Sequence, residues 1–317
     1  MKYALLQYEC KHHPGFYDDK MNVGDHVQSI AARQFLPQVD TYIDREETAF
    51  YKGDRVKLIL NAWWHIWEGN AVPSEDIDPL YIAFHLVNPD AVPQKMLDYL
   101  KKHEPIGCRD ETTLGFFQSK GIDAYFSGCL TLTLGKTYHV PIEQRNNKIY
   151  FVDFDRSQTM NWLNSKLHPL SVKLTPKKVR RRLENILDMF FTGQNEFVRR
   201  THYCSRRVPQ TERFRRAEQY LQDYSEAKLV VTTMIHVALP CLAMGTPVIL
   251  VTKDLYDPRF SGIKELMNHL GIDKDGNLVE HLFFPDGRKG YLLGSSPDIP
   301  KIAARLEDRV KQFIGSR

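Results

Sequence analysis

At 317 residues the chain exceeds the usual size of a single hydrophobic core, so its length predicts two domains. Its 42% hydrophobic and 26% charged residues fit a folded globular protein and argue against extended disorder. With 43 Lys and Arg against 39 Asp and Glu, the net charge of +4 is too small for a dedicated nucleic-acid binder, and no nucleic-acid partner is expected.

Residues 3–8 (YALLQY) read as a strand and residues 25–36 (DHVQSIAARQFL) as the start of a capped helix. Further strands are predicted at 56–60 (VKLIL), 80–84 (LYIAF) and around Tyr125 and Phe126, with helices at 95–102 and 111–120. The polar stretch 138–148 reads as a linker between a first domain at 1–137 and a second at 149–317. The second domain repeats the alternation. Strands are predicted at 149–152, 171–174, 197–204, 229–233 and 247–251, and helices at 176–191, 211–227 and 236–244. Such alternation predicts an α/β fold of two Rossmann-like domains, with the active site in the interdomain cleft, at the carboxyl ends of parallel strands.

The apolar run 229–251 is interrupted by His236, Pro240, Gly245 and Pro247, and reads as strand, helix and strand in place of a membrane span. Residues 1–9 show no signal peptide with a long apolar centre, which leads to the expectation of a cytoplasmic protein. Five widely spaced cysteines without a CxxC predict free thiols. Cys10, His12 and His13 lie close together but nothing else matches zinc spacing, so no metal is expected.

Four places carry candidate chemistry. In Asn22-Val23-Gly24-Asp25, Gly24 permits close backbone approach and the following helix offers N–H groups to an anion, while Asp25 reads either as the helix N-cap or as a catalytic carboxylate. Arg109 and Asp110 precede a predicted helix; Arg109 can fork onto a phosphate or carboxylate, or pair with Asp110 at the surface. His236, at a strand-to-helix turn, suits a general acid or base, or a satisfied, partly buried histidine. Arg259, after Tyr256-Asp257-Pro258, is a further loop cation or part of a solvated turn. The basic stretch 173–216, with Lys177, Lys178, Arg180, Arg181, Arg182, Arg206 and Arg207, reads mostly as a solvated face that could also meet an anionic membrane surface or a phosphorylated substrate.

The ordered set NVGDHVQSIAARQFLP, VKLILNAWW, PIGCRDETT, YFSGCLTLTL and KLVVTTMIHVALPCLAMGTPVILV resembles the polysaccharide pyruvyl transferase family, the last block being the most specific. The resemblance implies a fold like the GT-B glycosyltransferases. It also implies transfer of the enolpyruvyl group of phosphoenolpyruvate to two sugar hydroxyls, giving a cyclic ketal in capsule or exopolysaccharide synthesis. His236 would then be the general acid that protonates the methylene carbon, and Arg109 would bind the carboxylate or phosphate. By position, Asp25 would take the acceptor's proton and Arg259 would hold phosphate.

Many relatives carry arginine two residues before the histidine, where this chain has Met234; Arg259, Lys253 or Arg206 would have to compensate. No cofactor is expected beyond phosphoenolpyruvate as donor. The expected partner is a sugar or lipid-linked oligosaccharide acceptor, met at the inner membrane face if the basic second half contacts lipid. The alternatives are a GT-B glycosyltransferase using a nucleotide sugar, and a non-catalytic carbohydrate-binding protein.

Overall fold

A computed structural model describes residues 1–9, 20–66, 68–153, 185–186, 194–252, 257–273, 275, 277–283 and 293–316. In chain order its strands are β1 (Lys2–Gln7), β2 (Lys20–Asn22), β3 (Thr41–Asp44), β4 (Val56–Leu60), β5 (Trp63–Trp64), β6 (Ile77–Tyr81), β7 (His85–Leu86), β8 (Ile106–Cys108) and β9 (Ala124–Phe126). They continue as β10 (Lys148–Val152), β11 (Glu196–Arg200), β12 (Tyr203–Ser205), β13 (Leu229–Thr232), β14 (Val248–Thr252), β15 (His269–Ile272) and β16 (Leu278–His281). The longer helices are α1 (Val23–Arg33), α2 (Gln94–Lys101), α3 (Glu111–Ser119), α4 (Gln210–Ser225), α5 (Ile235–Ala243) and α6 (Ile299–Gly315).

The chain divides into two compact units. The first comprises Met1–Thr137, Tyr203–Gln219 and Pro300–Arg317, and the second Tyr138–His202 and Tyr220–Ile299. Both are mixed α/β.

In the first unit a sheet of order β3-β1-β4-β6 is parallel throughout. β4 is buried at all five positions, as expected of a parallel strand covered on both faces. The core gathers Leu6, Leu58, Leu60, Tyr81, Phe84, Leu100 and Phe117. β6 begins and ends three residues before the expected 80–84. Pro79, which hides the strand in the sequence, is tolerated because β6 is the sheet's edge. Ala83, with φ of 53°, then breaks the extended run, and Ser127 Oγ accepts its N–H at 3.0 Å. The late segment 203–219 joins this unit through the antiparallel pair β2–β12. Arg213 and Gln210 both donate to the Tyr8 carbonyl, at 2.8 and 2.7 Å.

In the second unit the order is β11-β10-β13-β14-β15-β16, parallel except for the final β15–β16 pair. Ile149, Leu229, Val231 and Ile249 are fully buried between its layers. The single strand expected at 197–204 is instead β11 and β12, in different sheets, because the chain turns at Thr201 and His202 onto the carboxylate of Asp153. The run 229–251 is β13, α5 and the start of β14, and among the described residues no helix is long and apolar enough to cross a membrane. The strand expected at 171–174, most of the helix expected at 176–191, and the cations Lys177, Lys178 and Arg180–Arg182 lie outside the described residues, as do Cys10, His12 and His13.

Candidate active site

The parallel sheet of the first unit delivers polar side chains to its carboxyl edge, the usual place for ligands in open α/β sheets. Arg45 follows the last residue of β3, and Asn61 and Trp63 follow β4, while Arg109 with Asp110 follow β8, which pairs with β9 in a separate two-stranded sheet of the same unit. Asn22 closes the start of α1: its Oδ1 accepts the Gly24 N–H at 2.9 Å. The N-cap is therefore Asn22 and not Asp25, because the helix begins two residues earlier than its apolar periodicity suggests. Asp25 sits in the first helical turn, 4% exposed, where the helix dipole favours a negative charge.

Oδ1 of Asp25 accepts the indole N–H of Trp63 at 3.1 Å. Burial pushes its carboxyl above the usual range, while Arg45, the Trp63 N–H and Arg109 pull it back down. The guanidinium of Arg45 lies 3.6 Å from the Trp63 ring centroid and 3.3 Å from a Glu46 carboxylate oxygen. Arg45 carries no sequence signal, and Trp63 stands within the VKLILNAWW block without being marked there as a site residue. Asp44-Arg45-Glu46-Glu47 reads as a solvated charge run, yet Arg45 is 2% exposed.

Arg109 and Asp110 are buried at 1% and 0%, which overturns a surface pair. Their contact is loose, 3.9 Å from Arg109 Nε to Asp110 Oδ2. Asp110 instead caps α3 through the Thr113 N–H at 2.9 Å and accepts from His85 Nδ1 at 2.6 Å. Burial acts to raise the Asp110 carboxyl, but His85, Arg109 and the Thr113 N–H outweigh it and hold it below the usual range. His85 also went unread in the sequence; a lone histidine in a short strand gives no sign of a carboxylate 25 positions away.

In the second unit, β13 ends at Thr232 and α5 begins at Ile235. Thr232 Oγ1 accepts the Met234 N–H at 3.0 Å, and Met234 is the N-cap of α5 without a side-chain bond of its own. His236 is the second residue of that helix and is 8% exposed. Arg259, on a short helical turn at Pro258–Phe260, is gripped by Asp257, with Nε–Oδ1 at 2.9 Å and Nη2–Oδ2 at 2.6 Å, and its side chain is largely exposed. Arg206 is half-buried in the first unit, whereas Met234 belongs to the second. Lys253 lies outside the described residues.

A mixed α/β fold with Arg45, Arg109 and Asp110 buried just beyond strand ends of its first unit has the features of a ligand-binding α/β protein. The chain belongs to the polysaccharide pyruvyl transferase family, whose model matches residues 82–254, more than half its length, and it is accordingly a transferase. The matched span takes in Arg109, Asp110, Arg206, His236 and Lys253, and leaves Asn22, Gly24, Asp25 and Arg259 outside. Comparison with curated proteins gives no match. The family assignment lends the glycosyltransferase alternative no support.

Proposed function

We propose that this transferase moves the enolpyruvyl group of phosphoenolpyruvate onto two hydroxyls of a sugar in a polysaccharide precursor, without a further cofactor. The observation that carries the proposal is the family match, because its span includes both the buried Arg109 and His236 at the start of α5. A GT-B-like fold belongs to the same proposal, supported by a parallel sheet in each unit.

His236 gives a proton to the methylene carbon of the donor, and the double-bond pair forms the new C–H bond. The neighbouring carbon becomes electron-poor and takes the first sugar hydroxyl, whose proton passes to Asp25. The carbon–oxygen bond to phosphate then breaks, phosphate leaves, and the second hydroxyl closes the ketal. Of the two hydroxyl protons, one restores the acid and the other balances the released phosphate. Arg109 holds the donor's carboxylate or phosphate, with Asp110 fixing the start of α3 beside it. Asn22 and Gly24 present the start of α1 to the substrate, and Arg259, Lys253 and Arg206 are the further cations assigned to phosphate, which for Arg259 means sharing its guanidinium with Asp257. The acceptor is a sugar or lipid-linked oligosaccharide, met in the cytoplasm or at the inner membrane face.

Phosphate release from phosphoenolpyruvate is expected to require a sugar acceptor and to be lost in His236→Ala. Full turnover in that variant would remove His236 from the mechanism. Thermal stabilisation by a nucleotide sugar, and none by phosphoenolpyruvate, would move the assignment to a different donor.

A further inference from the structure

We propose that Asp153 is a positioning residue for the turn that carries His236, an inference that rests on the reading of His236 as the acid. Asp153 is the first residue after β10 and has φ of 48°, in the left-handed region that side chains other than Gly rarely adopt and that Asp tolerates better than most. Each of its polar groups is engaged. Its N–H donates to the Arg200 carbonyl at 2.9 Å. Oδ1 accepts the Thr201 hydroxyl at 2.6 Å and Oδ2 the His202 N–H at 2.9 Å. Its carbonyl oxygen accepts the Thr233 hydroxyl at 3.1 Å.

These bonds join the ends of three adjacent strands, β11, β10 and β13, at the edge where α5 starts. Thr233 is the residue between the last of β13 and the N-cap Met234, and the Met234 carbonyl in turn accepts from Val237 and Ala238 at 3.1 and 3.0 Å. A displacement at Thr233 therefore passes through Met234 into the first turn of α5, and His236 lies in that turn. The left-handed backbone is what lets one residue turn its carboxylate toward β11 while its carbonyl faces Thr233. Its conformational cost fits a residue kept for positioning. Asp153 touches no reacting atom in this account. It acts through His236.

The test compares Asp153→Ala, Asp153→Asn and Thr233→Val in the full chain, by kinetics with phosphoenolpyruvate and acceptor and by 15N-histidine NMR, with the His236 ring signals assigned by their loss in His236→Ala. Misplacing a reacting group by about 1 Å costs about 100-fold in rate, so Asp153→Ala is expected to lose about that much kcat with KM for phosphoenolpyruvate within about threefold. Asp153→Asn keeps an acceptor and the left-handed tendency, and recovers about tenfold of the loss. Wild-type kcat and unmoved His236 ring signals in Asp153→Ala overturn the proposal. Should Asp153→Ala fail to fold, Thr233→Val carries the test, since it breaks only the bond to the Asp153 carbonyl; unmoved ring signals there are equally fatal. An active His236→Ala variant would remove the acid role instead, and the ring signals would still report whether Asp153 positions that turn.

Discussion

Trp63 donates its indole N–H to the buried carboxyl of Asp25 at 3.1 Å while its ring face lies under the guanidinium of Arg45 at 3.6 Å. One aromatic side chain thus joins a carboxyl that burial would neutralise to a cation that favours its ionised form.

Burial raises the Asp25 carboxyl in the folded chain more than Arg45, Trp63 and Arg109 lower it. The folded chain therefore keeps this proton to higher pH than the unfolded chain, where a carboxyl titrates near about 3.9. Its stability contribution is complete below that value and is lost as pH rises through the folded one. Asp25→Asn, which keeps an acceptor for Trp63, is expected to gain stability over the wild type as pH climbs from about 4 towards neutrality. Denaturant melts at several pH values measure this, and a difference independent of pH would refute it.

Arg45 and Glu46 form a buried ion pair at 3.3 Å. Removing one member takes a close opposite charge away from the other inside the protein, so Arg45→Met is expected to cost about 3–5 kcal/mol. Adding Glu46→Gln should return most of that loss. Urea titrations of the single and double variants check the coupling.

His202 is held down to about 3 by burial and then by the Arg200 charge, against an ordinary value of 6.5, while its Nε2 meets the Tyr224 hydroxyl at 2.9 Å. Between these two values the unfolded chain takes a proton that the folded chain refuses, so stability falls as pH falls through that window. His202→Gln is expected to be less stable at neutral pH and to show a shallower acid loss. Thermal melts from pH 7 down to about 4 would reveal an unchanged slope if the idea is wrong.

Lys57, 1% exposed, donates to the carbonyls of Phe313 and Ser316 and to the Ser316 hydroxyl, with its ammonium 4.9 Å from the Phe313 ring centroid. A cation at a helix C-terminus satisfies terminal carbonyls and opposes the dipole. Lys57→Met is expected to cost about 1–2 kcal/mol. Amide exchange at 313–316 should quicken first, and exchange unchanged there would remove the role assigned to Lys57.

Long apolar runs were legible before the structure. β4 occupies the predicted 56–60, and 229–251 resolves into strand, helix and strand, because hydrophobic periodicity records burial residue by residue. β6 was displaced by its Pro79, and β8, three residues long and containing Gly107, was too short to register as a pattern. Asp25 and Arg109 stood out beside helix starts, whereas Arg45, Trp63 and His85 did not, since their neighbours in the chain are not their neighbours in space.

The sequence by itself determined the α/β class and, through its ordered motifs, the family to which the chain belongs, because both are written in local patterns and residue order. Only the tertiary structure decided that 203–219 and 300–317 pack with the first unit, and that a charged run at 44–46 is buried against Trp63. It also decided that Asp153 ties β11 and β13 to the turn before His236. Those outcomes depend on which distant groups satisfy buried polar atoms, and no window of sequence contains both partners.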